Sequence, residues 1–547
     1  MEHGDRELAR PGRLRDPYLL AVCAFCVLLD GAIFAVDFLD RTPPFFDPVE
    51  HFLDGIYLLH EPSRSYLLQW RAWYPFLTSV AAIPFNLAGS YSYAFTSACL
   101  GALFLSGTVA VTFLLGRELF GSRGGLLAAV LVGLYPETFG LSLTYLLDLP
   151  MTFMVALTML FLVKCRGFRD RRYSLLAGAA AGLGSFTRYP FVVWVLLPVA
   201  TVIASRFRHD LAARRASPAS PGRASQTAWR WNALDGVLVA LAIAVPWYLP
   251  RLEFLFGDFR VAQERNALAQ GHPHPAALSA EGLLYYVRSL WHIASLPLAV
   301  AFVAFGAVYF TRRAGARLVL GSWMAGGYLG STALFNKETR YFAAVLPAVA
   351  LATAGGMEQV ARLGRRRSVA MAALAAALAA YLGTQLYGCV FGISWLPQGR
   401  MVDGVVSPHE RPTLFSQRQA NVRRVRRHAW DPSVLVDRIR EREPTGTASV
   451  RILADRVVTS ALRLPIGRAT LLHAAPKLVL FEQGAPADFP TDFVVVGVPY
   501  GPGSERRARA ALAAANVAHA TRYDEVYEER AGYPAADQTL VLFERRR

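Results

Sequence analysis

The sequence predicts a polytopic α-helical membrane protein followed by a small, water-soluble α/β domain, and three observations carry that expectation. Apolar runs of roughly 20 residues, the length that crosses a hydrocarbon core, recur from residue 18 to residue 391 and then stop. Charged residues make up only 18% of the 547-residue chain, and mean hydropathy is +0.30. Outside the tail, most arginines sit in short loops between apolar runs, the pattern that keeps basic loops cytoplasmic. The expected boundary is therefore a transmembrane part over 1–392 and an exported α/β part over 393–547. A net charge of +17 distributed in this way argues against a nucleic-acid partner, which would need a basic patch or stripe. The five cysteines (Cys23, Cys26, Cys99, Cys165 and Cys389) lie in or beside apolar runs without zinc-ligand spacing.

The first span is expected at 18–38, behind Arg6, Arg10, Arg13 and Arg15. Those charges place the N-terminus in the cytoplasm, and without a small-residue cleavage site the segment reads as a retained helix. A loop over 40–90 follows, rich in acids, aromatics and prolines and too long for a simple turn. Within it, 73–87 is apolar but broken by Pro75 and Pro84, which suits a helix lying at the interface. Further spans are expected near 93–115, 126–135, 147–163, 175–186, 191–204, 233–249, 284–310, 318–334, 341–356 and 369–391. The total is about eleven. Alternation then puts the basic loops 117–123, 164–172, 206–230, 312–317 and 362–367 on the cytoplasmic side. The segments 40–90, 136–144, 251–281 and 336–340, and the tail, fall on the other side. The loop 212–227 reads as a mobile Ser/Pro/Ala/Arg linker. Past a basic stretch at 418–427, strand-like runs at 449–453, 477–481, 493–498 and 539–543 alternate with helical ones such as 504–516, the signature of a small α/β domain.

Charges at membrane depth are costly and are functional candidates for that reason. Asp47, Glu50 and His51 stand together soon after the first span, in Phe45-Phe46-Asp47-Pro48-Val49-Glu50-His51. A carboxylate partly shielded from water at the interface can act as a general base. Asp before Pro is equally a helix start, and the two roles are compatible. Asp148, in Leu147-Asp148-Leu149-Pro150, is a second acid on the same membrane face with the same capping alternative. Arg188, Lys337 and Arg340, the last followed by Tyr341, bring cations to that depth. A guanidinium there suits phosphate, whose oxygens its planar fork can bind in pairs, while snorkelling to headgroups is the plainer alternative for any one of them. The turn 497–504 can cradle an anion at a helix start, although its glycines and Ser504 are explained by a strand-to-helix turn alone.

Taken in order, these pieces resemble the C-type (GT-C) integral membrane glycosyltransferases. The resemblance is specifically to the group containing bacterial protein O-mannosyltransferase-like enzymes and the lipid A aminoarabinose transferases. The resemblance covers roughly 18–360. It rests on the acidic motif at 47–51, Tyr74-Pro75, Gly116-Arg117-Glu118-Leu119-Phe120-Gly121, Tyr135-Pro136, Leu147-Asp148-Leu149-Pro150, the segment 182–188, and Lys337 with Arg340-Tyr341. It implies Asp47 as catalytic base, Asp148 supporting the site, and Arg188, Lys337 and Arg340 binding the phosphate of a polyprenyl-phosphate sugar. Glu50, His51 and Tyr341 complete the expected substrate-binding set. The implied reaction is an inverting displacement onto an acceptor hydroxyl or amine of a protein, lipid A or another envelope lipid or glycan. It would occur at the exported face of a bacterial inner membrane. Two departures stand out: Pro48 follows Asp47 where protein mannosyltransferases usually carry a second acid, and position 188 is Arg where Lys is common. Some relatives of the wider fold use a divalent ion and this subgroup generally does not, so no resident cofactor or metal ligand is assigned. The rival reading is a lipid or solute transporter or flippase, which also keeps charges within helices. The long loop after the first span favours the enzyme.

Overall fold

The structure, a computed structural model, describes residues 16–40, 44, 47–60, 74–216, 223–257, 261, 279–311, 317–334, 337–391 and 431–444. In the C-terminal part it describes 447–454, 459, 461–466, 477–481, 491–499, 503–515, 523–532 and 537–545. Helix α1 (Pro17–Leu39) opens with Pro17 in its first turn and Asp16 accepting a hydrogen bond from the Tyr18 amide, a combination that satisfies a helix N-terminus. The following loop is structured in two pieces, α2 (Asp47–His60) and α3 (Leu77–Ala88). Helix α4 (Tyr93–Phe120) ends at Gly121, whose φ of 94° suits a residue without a Cβ and reverses the chain into α5 (Ser122–Leu134). Pro136, with no amide hydrogen to continue the helix, starts α6 (Pro136–Ser142) at 62° to α5.

Helices α7 (Asp148–Lys164), α8 (Arg171–Ser185), α9 (Phe191–Ala216), α10 (Arg223–Tyr248) and the short α11 (Leu252–Phe256) follow. The region 284–310 is not the single span expected. It is α12 (Ala280–Ala294) and α13 (Leu296–Thr311), set at 115° around Ser295 in the left-handed region (φ 76°). Helix α14 (Arg317–Ala333), a 3₁₀ turn (Thr339–Val345), α15 (Leu346–Ala361) and α16 (Arg365–Phe391) complete the helical part. Among the described residues, six helices are long and apolar enough to cross a membrane, or up to eight if each bent pair is one span. The expectation of about eleven counted α7, α8 and α14 as spans, and these have 17, 15 and 17 residues. The expected linker 212–227 is also smaller, because α9 and α10 take in all of it except 217–222, which lie outside the described residues.

Burial orders the bundle. In the stretch Thr339–Ala361, 94% of the apolar window is buried inside the protein, against 22% for α1, α9 and α16. The α15 unit is thus the centre, and the outer helices keep apolar side chains for lipid. Close crossings are made by glycine: a Cβ on Gly178 of α8 would collide with the Gly236 backbone of α10, the small-residue packing of membrane helices. The two ends of the bundle are distinguishable. Arg123 donates to Ser368 Oγ (2.9 Å), Arg362 to the Phe120 carbonyl (2.8 Å) and Arg171 to Asp235 (2.9 Å), which gathers the basic loops at one end. Asp47, Asp148, Arg188 and Arg340 gather at the other.

The C-terminal part is a five-stranded sheet in the order β2-β1-β3-β5-β4. Strands β1 (Thr447–Leu453), β2 (Lys477–Phe481) and β3 (Phe493–Pro499) are parallel, and β5 (Asp537–Arg545) and β4 (Tyr523–Gly532) add antiparallel. Alternate residues of each strand face opposite sides. Phe493, Val495, Leu540 and Leu542 pack under α17 (Ser433–Arg442), and Val494, Val496, Val541 and Phe543 under α18 (Ser504–Ala514). The stretch 418–427 lies outside the described residues.

Candidate active site

Four separate segments deliver the charged cluster, and two of them are helix starts. Asp47 and Asp148 are the first residues of α2 and α7, where a carboxylate is favoured by the unsatisfied amides and the positive end of the helix dipole. Arg188 lies in the short turn between α8 and α9. Arg340 sits in the 3₁₀ turn feeding the buried α15, so its position is set by the most enclosed element of the bundle.

Arg340 is the hub. Its Nη2 donates to Asp47 Oδ2 and to Glu338 Oε1, each at 3.1 Å, and its Nε pairs with Glu338 Oε2 and stands 3.9 Å from Asp148 Oδ2. Asp148, 1% exposed, is paired by Arg188 Nη1. The Arg188 guanidinium lies over the Tyr341 ring at 4.3 Å, and the Tyr341 hydroxyl donates to Glu338 Oε1 at 3.4 Å. The cluster therefore holds three carboxylates (Asp47, Asp148, Glu338) against two guanidiniums. Both arginine side chains are 13% exposed, whereas Asp47 keeps 32% of its side chain exposed. Of the three acids Asp47 is the most exposed, ahead of Glu338 at 21% and Asp148 at 1%.

Burial works against a charge on Asp47. The nearby Arg340, with His51 and Arg188, outweighs it and holds the carboxyl below the usual carboxylate range. His51 is buried, and burial pushes its pKa down to about 4 despite the attraction of Asp47. Its neutral ring packs edge-on against Tyr74 at 4.5 Å. The charge of Asp47, then burial, raises the Tyr74 hydroxyl well above its ordinary value.

Two expected residues stand elsewhere. Glu50 accepts from Arg463 Nη1 of the C-terminal part at 2.9 Å. Lys337 is fully buried, and its ammonium donates to the carbonyls of Thr332 (2.6 Å) and Leu334 (2.9 Å) at the end of α14. That is a C-terminal helix cap in which a cation meets the negative end of the dipole. Two titratable residues at or near the cluster were missed. Glu338 stands beside Lys337 in the segment 336–340, and it meets Arg340 where its extended backbone (φ −124°, ψ 148°) leads into the 3₁₀ turn. Asp54 had a readable signal, since positions 47, 50, 51 and 54 fall on one face of a helix. Burial, and then the charge of Glu50, lifts Asp54 to about 7. The anion-cradle expectation at 497–504 meets a helix start at Ser504 behind Gly503 (φ 76°), with 500–502 outside the described residues. No group of three or more His, Cys, Asp or Glu able to hold a metal occurs among the described residues.

Comparison with known proteins gives the following. Residues 56–217 match the family described as dolichyl-phosphate-mannose-protein mannosyltransferase. No curated protein matches the sequence at a significant level. Among solved structures, ArnT from Cupriavidus metallidurans bound to undecaprenyl phosphate is 14% identical over 96% of this chain and 98% of its own, with a TM-score of 0.57. Arabinofuranosyltransferase AftD from Mycobacteria matches at 13% identity over 96% of this chain and 40% of its own, with a TM-score of 0.52. The archaeal oligosaccharyltransferase AglB from Archaeoglobus fulgidus, in complex with an inhibitory peptide and a dolichol-phosphate, matches at 11% identity. That match covers 95% of this chain and 74% of AglB, with a TM-score of 0.50. At such identities the likeness is one of fold.

Proposed function

We propose that this chain is a membrane glycosyltransferase, a reading supported by the C-type fold and the family match over residues 56–217, and that it moves a sugar from a polyprenyl-phosphate donor onto an acceptor hydroxyl or amine, with Asp47 as general base. The observation that carries this reading is the sharing of Arg340 and Arg188 among Asp47, Asp148 and Glu338. A partly exposed carboxylate beside enclosed guanidiniums is what a displacement with a phosphate leaving group needs. The acceptor oxygen or nitrogen bonds to the anomeric carbon and gives its proton to Asp47. The bond from that carbon to the phosphate oxygen breaks, and its electron pair leaves with the lipid phosphate. The guanidiniums are placed to meet the negative charge growing there, in a site where water screens them little. Attack opposite the leaving group inverts the anomeric centre.

The donor class is supported by the undecaprenyl phosphate bound to ArnT and the dolichol-phosphate bound to AglB. The exported orientation is supported by the gathering of the basic loops at the opposite end of the bundle. Lys337 is left out of the phosphate contacts in this mechanism, and Glu338 enters as the acid that holds the Arg340 fork. The test is release of free polyprenyl phosphate from a panel of polyprenyl-phosphate sugars by the purified protein in liposomes, with envelope extract as acceptor. Release from one donor and not the others supports the reading. Retention of every donor, with movement of lipid or solute across the bilayer, would favour the transporter instead.

A further inference from the structure

The C-terminal part touches the catalytic loop at a place that the reaction itself does not explain. The helical segment 461–466 has two faces. Ala461, Leu462 and Ile466 are buried in the core of the α/β sheet. Leu464 points the other way and packs against the hydrophobic core of the membrane bundle. Its neighbour Arg463 donates from Nη1 to Glu50 Oε1 at 2.9 Å. Glu50 lies three residues after Asp47, one turn along α2.

The same helix is held from the bundle side as well. Phe52 and Ile56 of α2 are fully buried in the membrane core, and Arg340 grips Asp47. Helix α2 is therefore fixed between the bundle and the soluble domain, with the base one turn from the upper contact. We infer that segment 461–466 clamps the catalytic loop, with Arg463 a positioning residue that sets α2, and through it Asp47, against Arg340. The C-terminal domain then takes part in aligning the base. The catalytic consequence rests on the reading of Asp47 as base, whereas the clamp itself does not.

The Arg463–Glu50 pair is partly exposed, at 31% and 50% of the two side chains, so its loss is worth at most about fivefold in rate. The experiment compares wild type, Arg463→Gln, Glu50→Gln and the exchange Glu50→Arg with Arg463→Glu, all full-length in liposomes. The first readout is amide hydrogen exchange of residues 47–60 without substrate, which needs no turnover. Each single variant should exchange faster there, and the charge exchange should restore protection. The second readout is steady-state release of lipid phosphate. Here kcat should fall by up to about fivefold in the single variants with donor KM unchanged, and return in the exchanged pair. Unchanged protection in Arg463→Gln, or an exchanged pair no better than the single variants, would overturn the clamp. Altered protection with no turnover even in wild type would instead overturn the transferase reading, and with it the catalytic role of Arg463.

Discussion

Removing the Arg340 fork tests the site where its parts are most interdependent. In Arg340→Gln the three carboxylates face a single guanidinium, since Arg188 alone remains beside Asp148. Two consequences follow, at different atoms. At the leaving phosphate, the loss of one preorganised donor costs about 100- to 1,000-fold in kcat. At the base, burial is no longer outweighed by Arg340, so the Asp47 carboxyl moves up from its depressed value. The sign of the pH effect follows. In wild type Asp47 is ionised throughout the neutral range, and acidification toward neutral pH does not protonate it. In the variant the acid limb moves toward neutrality, so the deficit is larger at about pH 5.5 than at about pH 8. The remaining groups facing Asp47 are His51, Arg188 and Tyr74. His51, at about 4 in the wild type, is held down by burial and in part by Arg340 and Arg188, so removing Arg340 moves it upward in the same direction as Asp47. Arg340→Lys keeps the charge but not the two-pronged geometry and should fall between the two. The assay is initial-rate release of polyprenyl phosphate in liposomes at both pH values. Turnover by Arg340→Gln within about threefold of wild type at both would refute the reasoning.

The remaining predictions concern groups around the cluster. Asp54, lifted to about 7, has a folded pKa above its ordinary value of 3.8. The stability held by its protonated form is fully present below that ordinary value and is lost as pH rises through about 7. Asp54→Asn should therefore raise the melting temperature at about pH 8 and leave it unchanged at about pH 4, with equal shifts at both counting against the burial argument. Lys337→Met removes two hydrogen bonds from a charged donor, each worth about 1.5–3 kcal/mol. Its melting temperature and kcat should fall with donor KM intact, because the turn carrying Glu338 and Arg340 loosens; a raised donor KM at full kcat would return Lys337 to the phosphate contacts. Gly178→Leu forces α8 and α10 apart and should abolish stable expression, whereas Gly31→Leu, where nothing lies within 4 Å of the added Cβ, should not.

How much was legible in the sequence depended on whether the signal was local. Helix starts were readable, because Asp47-Pro48 and Asp148-Leu149-Pro150 announce themselves within a few residues, and both acids head the helices α2 and α7. Strands β1, β2, β3 and β5 were readable from their apolar runs. Strand β4, with the sequence YDEVYEERAG, was missed because an outermost strand carries the charges that discourage further pairing. Hydropathy also merged α12 and α13, since a continuous apolar run contains no mark of a 115° elbow at Ser295. Among site residues, Arg188 and Arg340 were found by their depth in the membrane part, and the cluster joins them to both acids. Lys337 carried the same signal and instead caps a helix, because residue type does not say which carbonyls lie within reach. The pairing of Glu50 with Arg463 spans 413 residues of chain, and no spacing rule reaches that far.

The most direct test of the central claim is the rate of polyprenyl phosphate release by Asp47→Asn against wild type, with the accepted donor and its acceptor in liposomes. The side chain keeps its size and its place at the head of α2 but cannot take a proton. Release by wild type and its loss in the variant, with donor binding retained, is the predicted result; equal release by both proteins would contradict it and move the base to another residue, with Asp148 next in line.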